Sequence, residues 1–387
     1  MKKLILLLLI IFIPSISYAQ VFIGGLADFE LRNGQYDSSP YINQTPNRNV
    51  SIYTPNLRLF GLGIISDKWF LETALQSDYY EGDTLSSPFF SLLNINWMPK
   101  DNSTLMLTAG RFVTPYGLQA ERLLSSENPF VHLPLSHAFN VGVDKKTGVF
   151  SDGIDYDSDG MRGQSMVYQR GYSQGIMISN SSSDNQLRYE LAATIAPASS
   201  FFEYGQHDLP SLIGRIGYTP YIWMDIGASF SFGSFMQQDV LNEEFTRNEL
   251  QSFRQTMLGT DLLFSYLYYS LGIEFNYSKW SVPDYEYMGV AFPDPEPEVW
   301  HLSLELRSNF RNLPGSYAGI RGEVLRPQKL RQDDEYFRFG EEVDRIELVA
   351  GYRLQRTIIA KASYLISSTR PENLKSNVFA LQLSVGF

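Results

Sequence analysis

FALQLSVGF, residues Phe379 to Phe387, closes the sequence. Phe379, Leu381, Leu383, Val385 and Phe387 alternate with Ala380, Gln382, Ser384 and Gly386, so at the period of a strand one face is wholly apolar and the other small or polar. A chain end in water usually frays and carries polar residues. An apolar row that ends on an aromatic residue predicts a strand held between two different solvents.

The other end supplies the context. MKKLILLLLIIFIPSISYAQ has a basic start at Lys2 and Lys3, an apolar run from Leu4 to Ile13, a break at Pro14 and small residues before Gln20. That order reads as a secretory signal peptide over residues 1–19, with the mature chain expected from Gln20. No later stretch approaches the about 18 continuous apolar residues that a membrane helix needs. An exported chain of this kind that enters a membrane must do so with strands.

The 387 residues carry 31 Lys and Arg against 42 Asp and Glu, a formal charge of -11. This balance argues against nucleic acid, which demands clustered basic residues. With no cysteine, disulfides and thiolate metal sites are excluded. The 24 Tyr and 26 Phe suit either a soluble sandwich or a barrel with aromatic girdles at the membrane interfaces. Without a charge block or a fixed-period repeat, residues 20–387 read as one domain.

Alternation bounded by Gly, Pro, Asn, Asp and Ser predicts about sixteen strands, near 21–32, 56–65, 69–79, 89–97, 104–113, 172–180, 186–196, 211–219, 222–232, 255–266, 270–280, 299–309, 316–326, 345–354, 357–367 and 377–387. Their connections alternate in length: 33–55, 114–171 and 233–254 are long, whereas SDK at 66–68, TPY at 219–221 and LQRT at 354–357 are short. Long outer loops and short periplasmic turns are the pattern of a transmembrane antiparallel β-barrel, and an even strand count returns both termini to one side. The fold class expected is therefore all-β, a transmembrane barrel of about sixteen strands in the cell outer membrane, in contact with its lipid.

Parity assigns faces within the strands. Trp300, Leu302, Leu304 and Leu306 oppose His301, Ser303, Glu305 and Arg307, while Leu271, Ile273, Phe275 and Tyr277 oppose Glu274, Asn276 and Ser278. With the apolar rows facing lipid, the interior receives Arg188, Glu190, Arg215, Asp225, Asp261, Glu274, Glu305, Arg307, Arg321, Glu323, Arg345, Glu347, Arg353 and Lys361. Burying so many charges dry costs several kcal/mol each unless they are fully paired, which predicts a wet, pore-lining set. Sixteen strands is also a size that leaves an aqueous channel. The alternative is a plugged interior in which the same charges form a static lattice.

Residues 114–171 form the longest strand-poor stretch, and loops of that length are usually functional. The pieces AGRFVTPYG at 109–117, IGRIGYTP at 213–220, GTDLLFSY at 259–266, SLGIEFNY at 270–277 and the final Phe387 resemble the phosphate-selective porin O and P family, and more loosely the sixteen-stranded porins. The resemblance implies a homotrimeric outer-membrane channel whose third loop folds inward as a constriction. Arg122, Glu127, Lys145 and Lys146 are its candidate constriction residues. A ladder of arginines and lysines would accompany phosphate selectivity, and this chain has none. Its third loop is mixed in sign, so a broad or mildly cation-preferring pore is the expectation.

DYDSDG, from Asp155 to Gly160, spaces Asp155, Asp157 and Asp159 as a calcium loop does. The twelfth position is Met166 in place of the bidentate Glu, so an Asp-rich solvated turn is the competing reading, and no cofactor is otherwise expected. The four histidines His132, His137, His207 and His301 form no zinc motif, since Pro134 interrupts the first pair, and there is no G-x-S-x-G elbow. No enzyme is expected. The function expected is a porin passing small hydrophilic solutes or ions by passive diffusion, its rival a non-conducting structural or adhesive barrel that binds a partner through its outer loops.

Overall fold

The computed structural model describes residues 20–34, 50–79, 88–99, 104–144, 148–149, 164–182, 186–201, 207–236, 246–287, 290–292, 295–328, 330–332, 335–337, 340–370 and 375–387. Sixteen strands close into one antiparallel barrel. They are β1 (Gln20–Gly34), β2 (Val50–Ser66), β3 (Trp69–Tyr79), β4 (Phe89–Trp97), β5 (Met106–Val113), β6 (Tyr172–Ser181), β7 (Leu187–Thr194), β8 (Ser211–Tyr221), β9 (Met224–Ser234), β10 (Arg254–Tyr266), β11 (Tyr269–Trp280), β12 (Glu298–Asn309), β13 (Ser316–Pro327), β14 (Glu342–Gln355), β15 (Ile358–Arg370) and β16 (Lys375–Gly386). The expected strands match them closely, with β2 and β14 starting several residues earlier than their alternation suggests.

Every strand pairs with its sequence neighbour, and β1 with β16 closes the ring from Leu26 opposite Gly386 to Gly34 opposite Val378. Closure leaves no edge whose backbone groups would lie unpaired in lipid. The seam explains the final residue. Gly25 N donates to Phe387 O at 3.0 Å and Phe387 N donates to Gly25 O at 3.1 Å, so the ladder continues past the end of β16. A Cβ on Gly25 would stand 2.1 Å from the Phe387 ring, so only glycine lets the aromatic lie across the seam.

Burial alternates along the strands: β14 sets exposed Ile346, Leu348, Ala350 and Tyr352 against buried Arg345, Glu347, Val349 and Gly351. This inverts a soluble protein, since the apolar rows lie on the outside. At the end of the short turns the exterior carries aromatic pairs, Trp69 stacked on Trp97 with ring centroids 5.7 Å apart and Tyr221 on Trp223 at 4.7 Å. Such rings suit the headgroup level of a membrane.

The inward face is not polar throughout. Near the outer ends of their strands Met257, Trp280, Val299, Leu325 and Val343 are buried and pack with Leu135, Phe139, Val141, Met166 and Val167 of the long loop. The barrel thus holds a true apolar core inside its outer half. Sequence parity sorted residues by face, and it could not separate an inward residue that meets water from one that meets a loop.

Candidate functional site

The long connection between β5 and β6 runs through the barrel. It leaves β5 at Thr114, and Gly117 N donates to Ser229 Oγ of β9 at 3.1 Å. Gly117 has φ of 65°, and a Cβ there would come within 2.2 Å of Glu274 Oε1, so the turn depends on glycine. The Tyr116 ring before it is buried, and burial followed by the nearby Glu274 and Asp261 carboxylates holds its phenol well above the ordinary range. A short 3₁₀ turn at Leu118–Arg122 then places Glu121 3.2 Å from Arg188 and Arg122 2.6 Å from Glu305.

Beyond that turn the loop crosses to the opposite wall. Ser125 Oγ donates to Asp28 Oδ1 at 2.5 Å and meets Ser384 Oγ at 3.0 Å. Lys361 Nζ donates to three loop carbonyls, Ser125 at 2.6 Å, Asn128 at 2.8 Å and Phe130 at 3.5 Å, and to Gln382 Oε1 at 2.9 Å. Glu347 Oε1 accepts from Val131 N at 3.1 Å and His132 N at 3.2 Å. Glu323 Oε1 accepts from Leu135 N at 2.8 Å, at the start of the single helical turn α1 (Leu135–Ala138). Arg321 Nη2 donates to His132 O at 2.7 Å, and Arg345 to Leu133 O. Charged side chains of the wall therefore replace the secondary structure that this segment lacks.

These anchors also bind one another. Register sets Glu305 opposite Arg321, Arg321 opposite Glu347 and Glu323 opposite Arg345. Arg321 lies 2.6 Å from Glu347 and 3.1 Å from Glu323, with its guanidinium over the Phe130 ring at 4.7 Å. His301 joins Glu323 at 3.1 Å and His132 joins Glu347 at 3.0 Å. On the loop, burial holds His132 below its usual value against the pull of Glu347, and burial followed by His301 pushes His137 down to about 3. Both imidazoles are neutral near pH 7.

All fourteen residues expected inside lie on the alternation of the inward face. The expectation that they meet water is corrected for Arg321, Glu323, Arg345, Glu347 and Lys361, which the loop seals to 3% exposure or less. Arg321, Glu323, Arg345 and Glu347 pair with one another, and Lys361 is held by carbonyl and amide oxygens, which offsets the cost of such burial. On the far wall Arg215 grips Asp261 with contacts of 2.5 and 2.9 Å, Arg188 pairs with Asp225, and Glu274 is buried beside the loop. Arg307 lies near Arg122 and Glu305, and Arg353 reaches Ser126 O at 3.4 Å.

Of the constriction candidates, Arg122 bridges to Glu305, and Glu127 is exposed, its carboxyl raised by partial desolvation and then by Glu121. Lys145, Lys146, Asp155, Asp157 and Asp159 lie outside the described residues. The sequence expectation omitted Asp28, Glu30 and Arg32, which are buried inside β1. The signal was present, since they alternate with Phe29 and Leu31.

The loop leaves part of the interior unfilled. A cavity of about 320 Å³ lies against β3 to β8, lined by Glu72, Asn94, Asn96, Thr108, Phe112, Glu121, Met177, Arg188, Glu190 and Arg215 among others. A second, of about 220 Å³, is lined by Arg122, Glu127, Phe130, Ser265, Ser270, Glu305 and Arg307.

No family model matches the chain, and no curated protein matches it in sequence. Solved structures do. The chain is similar to an anion-selective porin from Comamonas acidovorans, with TM-score 0.62 and 7% identity over 95% of this chain and 100% of that one. It is likewise similar to OmpF of Salmonella typhi in complex with daunomycin, with TM-score 0.60 and 11% identity over 95% of this chain and 97% of that one. The outer membrane channel DcaP of Acinetobacter baumannii gives TM-score 0.59 at 11% identity, with the same coverage. At these identities the likeness is one of fold: the chain has the sixteen-stranded barrel of the outer-membrane porins.

Proposed function

We propose that the protein is an outer-membrane porin, a channel for the passive diffusion of small hydrophilic solutes or ions, with cations preferred over anions. The observation that carries this reading is the charged cavity left between the inward-folded loop and the β3 to β8 wall of a closed sixteen-stranded barrel. The loop is held by paired charges on one side, so the polar wall on the other side is available to line a pore, and a polar lumen of this size class supports water. Fixed carboxylates in excess of free guanidinium groups favour cations. That sign separates this reading from phosphate selectivity, which would need unpaired basic residues along the path. A homotrimer accords with it, because the exposed apolar rows can pack against a second barrel as well as against lipid.

Planar-bilayer recording with a salt gradient tests the proposal. The expected result is stable ohmic steps with a reversal potential of cation-preferring sign. Folded barrels that insert and carry no current would overturn the channel in favour of a sealed structural barrel, and an anion-preferring reversal potential would overturn the assigned selectivity.

A further inference from the structure

The two sides of the interior differ in chemistry. Where β12 to β15 present charges that the loop covers, the wall of β4 to β6 turns Leu92, Met106, Phe112 and Met177 into the cavity of about 320 Å³. Register places Met177 directly opposite Thr108, and Phe112 and Met177 continue into a small buried cluster with Ala192. This is an apolar shelf facing inward. Phe112 and Met177 are buried at its floor, while Leu92 and Met106 stay partly exposed to the lumen, and apolar surface left facing water lowers its free energy by meeting apolar solute surface.

The charges around the shelf are unequal in availability. Both guanidinium groups are occupied: Arg188 holds Asp225 and also Glu121 at 3.2 Å, and Arg215 holds Asp261. Glu72 accepts from Asn96 Nδ2 at 3.3 Å, within a chain in which Asn96 also donates to Asn94 at 2.6 Å and accepts from Thr108 at 2.6 Å. The Glu190 carboxylate lines the same cavity with no side-chain hydrogen bond or ion pair at contact distance among the described residues, with Arg215 opposite it in the register. An entering anion would have to displace an aspartate from a guanidinium group. An entering ammonium group finds Glu190 open, and a neutral polyol finds the amides but leaves the shelf uncovered.

We infer that the cavity against β3 to β8 is a subsite for organic cations that carry an apolar body, the ammonium group directed to Glu190 and the body resting on Leu92 and Met106 above the buried Phe112 and Met177. The volume matches the lower end of the range of small-molecule pockets, from about 300 Å³ upward, so a solute one ring wide fits and a large one does not. The subsite rests on the channel reading above and names the solute class that the channel would favour. Selectivity of this kind arises from pairing one charge with one apolar surface, and neither feature alone produces it.

The experiment uses the whole protein in planar bilayers, with potassium chloride as carrier and three added probes: phenethylammonium, phenylacetate and methylammonium. Phenethylammonium should interrupt the current in a concentration-dependent manner, and both of the others should do so at least about tenfold more weakly, which corresponds to about 1.4 kcal/mol. Glu190→Gln should raise the half-blocking concentration of phenethylammonium about tenfold, with its folding verified by heat-dependent electrophoretic mobility. Met106→Ser, at a partly exposed position, should weaken phenethylammonium and leave methylammonium unchanged. Equal block by phenylacetate or by methylammonium, no block at all, or an unchanged response in Glu190→Gln would each overturn the subsite and leave the conducting channel standing. Folded barrels without current would overturn the channel itself and the subsite with it.

Discussion

Replacing Lys361 by Met tests whether the wall fixes the loop. Lys361 is 3% exposed, and its ammonium group donates to Ser125 O at 2.6 Å, Asn128 O at 2.8 Å and Gln382 Oε1 at 2.9 Å, with Phe130 O at 3.5 Å. Methionine has similar length and no donor, so it leaves these oxygens buried and unserved. Hydrogen bonds to a charged group contribute about 1.5 to 3 kcal/mol each, though bonds to one ammonium are not additive. With water re-entering to serve some of the carbonyls, the net loss is about 3 to 5 kcal/mol, as for a broken buried ion pair. The loss is local, because the β14–β15 and β15–β16 ladders are backbone bonds that the substitution does not touch. Loop residues 131–135 keep their own anchors on Glu347, Arg345 and Glu323. The variant should therefore remain a folded barrel by its heat-dependent electrophoretic mobility. Trypsin should cut it after Arg122, where the parent resists, and its single-channel current should be noisier. Equal resistance at Arg122 together with an unchanged current would refute the reasoning, because the loop would then be held without Lys361.

Deleting Phe387 removes both seam bonds to Gly25, at 3.0 and 3.1 Å, at about 1 kcal/mol each, together with the ring across that glycine. The folded yield in detergent should fall relative to Phe387→Tyr, measured as the heat-modifiable fraction; equal yields would remove the role given to the terminal aromatic. Acid should loosen the loop. The His137 imidazole, pushed down to about 3 when docked, has an ordinary value near 6.5 when released, so the released loop binds the extra proton between those limits. Docking is complete above about pH 6.5 and weakens as pH falls, by about 2 kcal/mol at pH 5. Trypsin cleavage at Arg122 should accelerate at pH 5 relative to pH 7.5 after correction for enzyme activity, and His137→Gln should flatten that dependence.

The barrel was legible because its cause is local. Lipid outside and a polar or packed interior inside impose a period of two on every strand, and Ile346 to Tyr352 on β14 or Phe379 to Phe387 at the end display it without reference to anything distant. Loop lengths carried the topology for the same reason, since a short turn joins strands that must be neighbours, although the turn expected at TPY, 219–221, falls at Ile222–Trp223, and 219–221 close β8. What lay beyond reach was the state of the inward row. Glu347 and Arg188 both read as inward charges, yet Glu347 is fully buried and Arg188 partly exposed. The difference is made by Val131 and His132, more than two hundred residues before Glu347 in the chain, and alternation contains no term for such a contact.

That distinction has a consequence for how such a channel can be built. A long loop inside a wide barrel must satisfy its backbone without regular structure, and the charged rungs of β12 to β15 do this with Glu305, Arg321, Glu323, Arg345, Glu347 and Lys361. Of these, Arg321, Glu323, Arg345, Glu347 and Lys361 are dry, so they hold the loop and contribute little to selecting solutes. Selection then falls to the wall that the loop leaves free. On that wall the two arginines are neutralised by Asp225 and Asp261, which leaves Glu190 as the open charge beside an apolar shelf. A count of interior charges would describe this barrel as nearly balanced. Counting only those that remain unpaired and in reach of the cavity makes it acidic, and the sign of the measured reversal potential decides between the two descriptions.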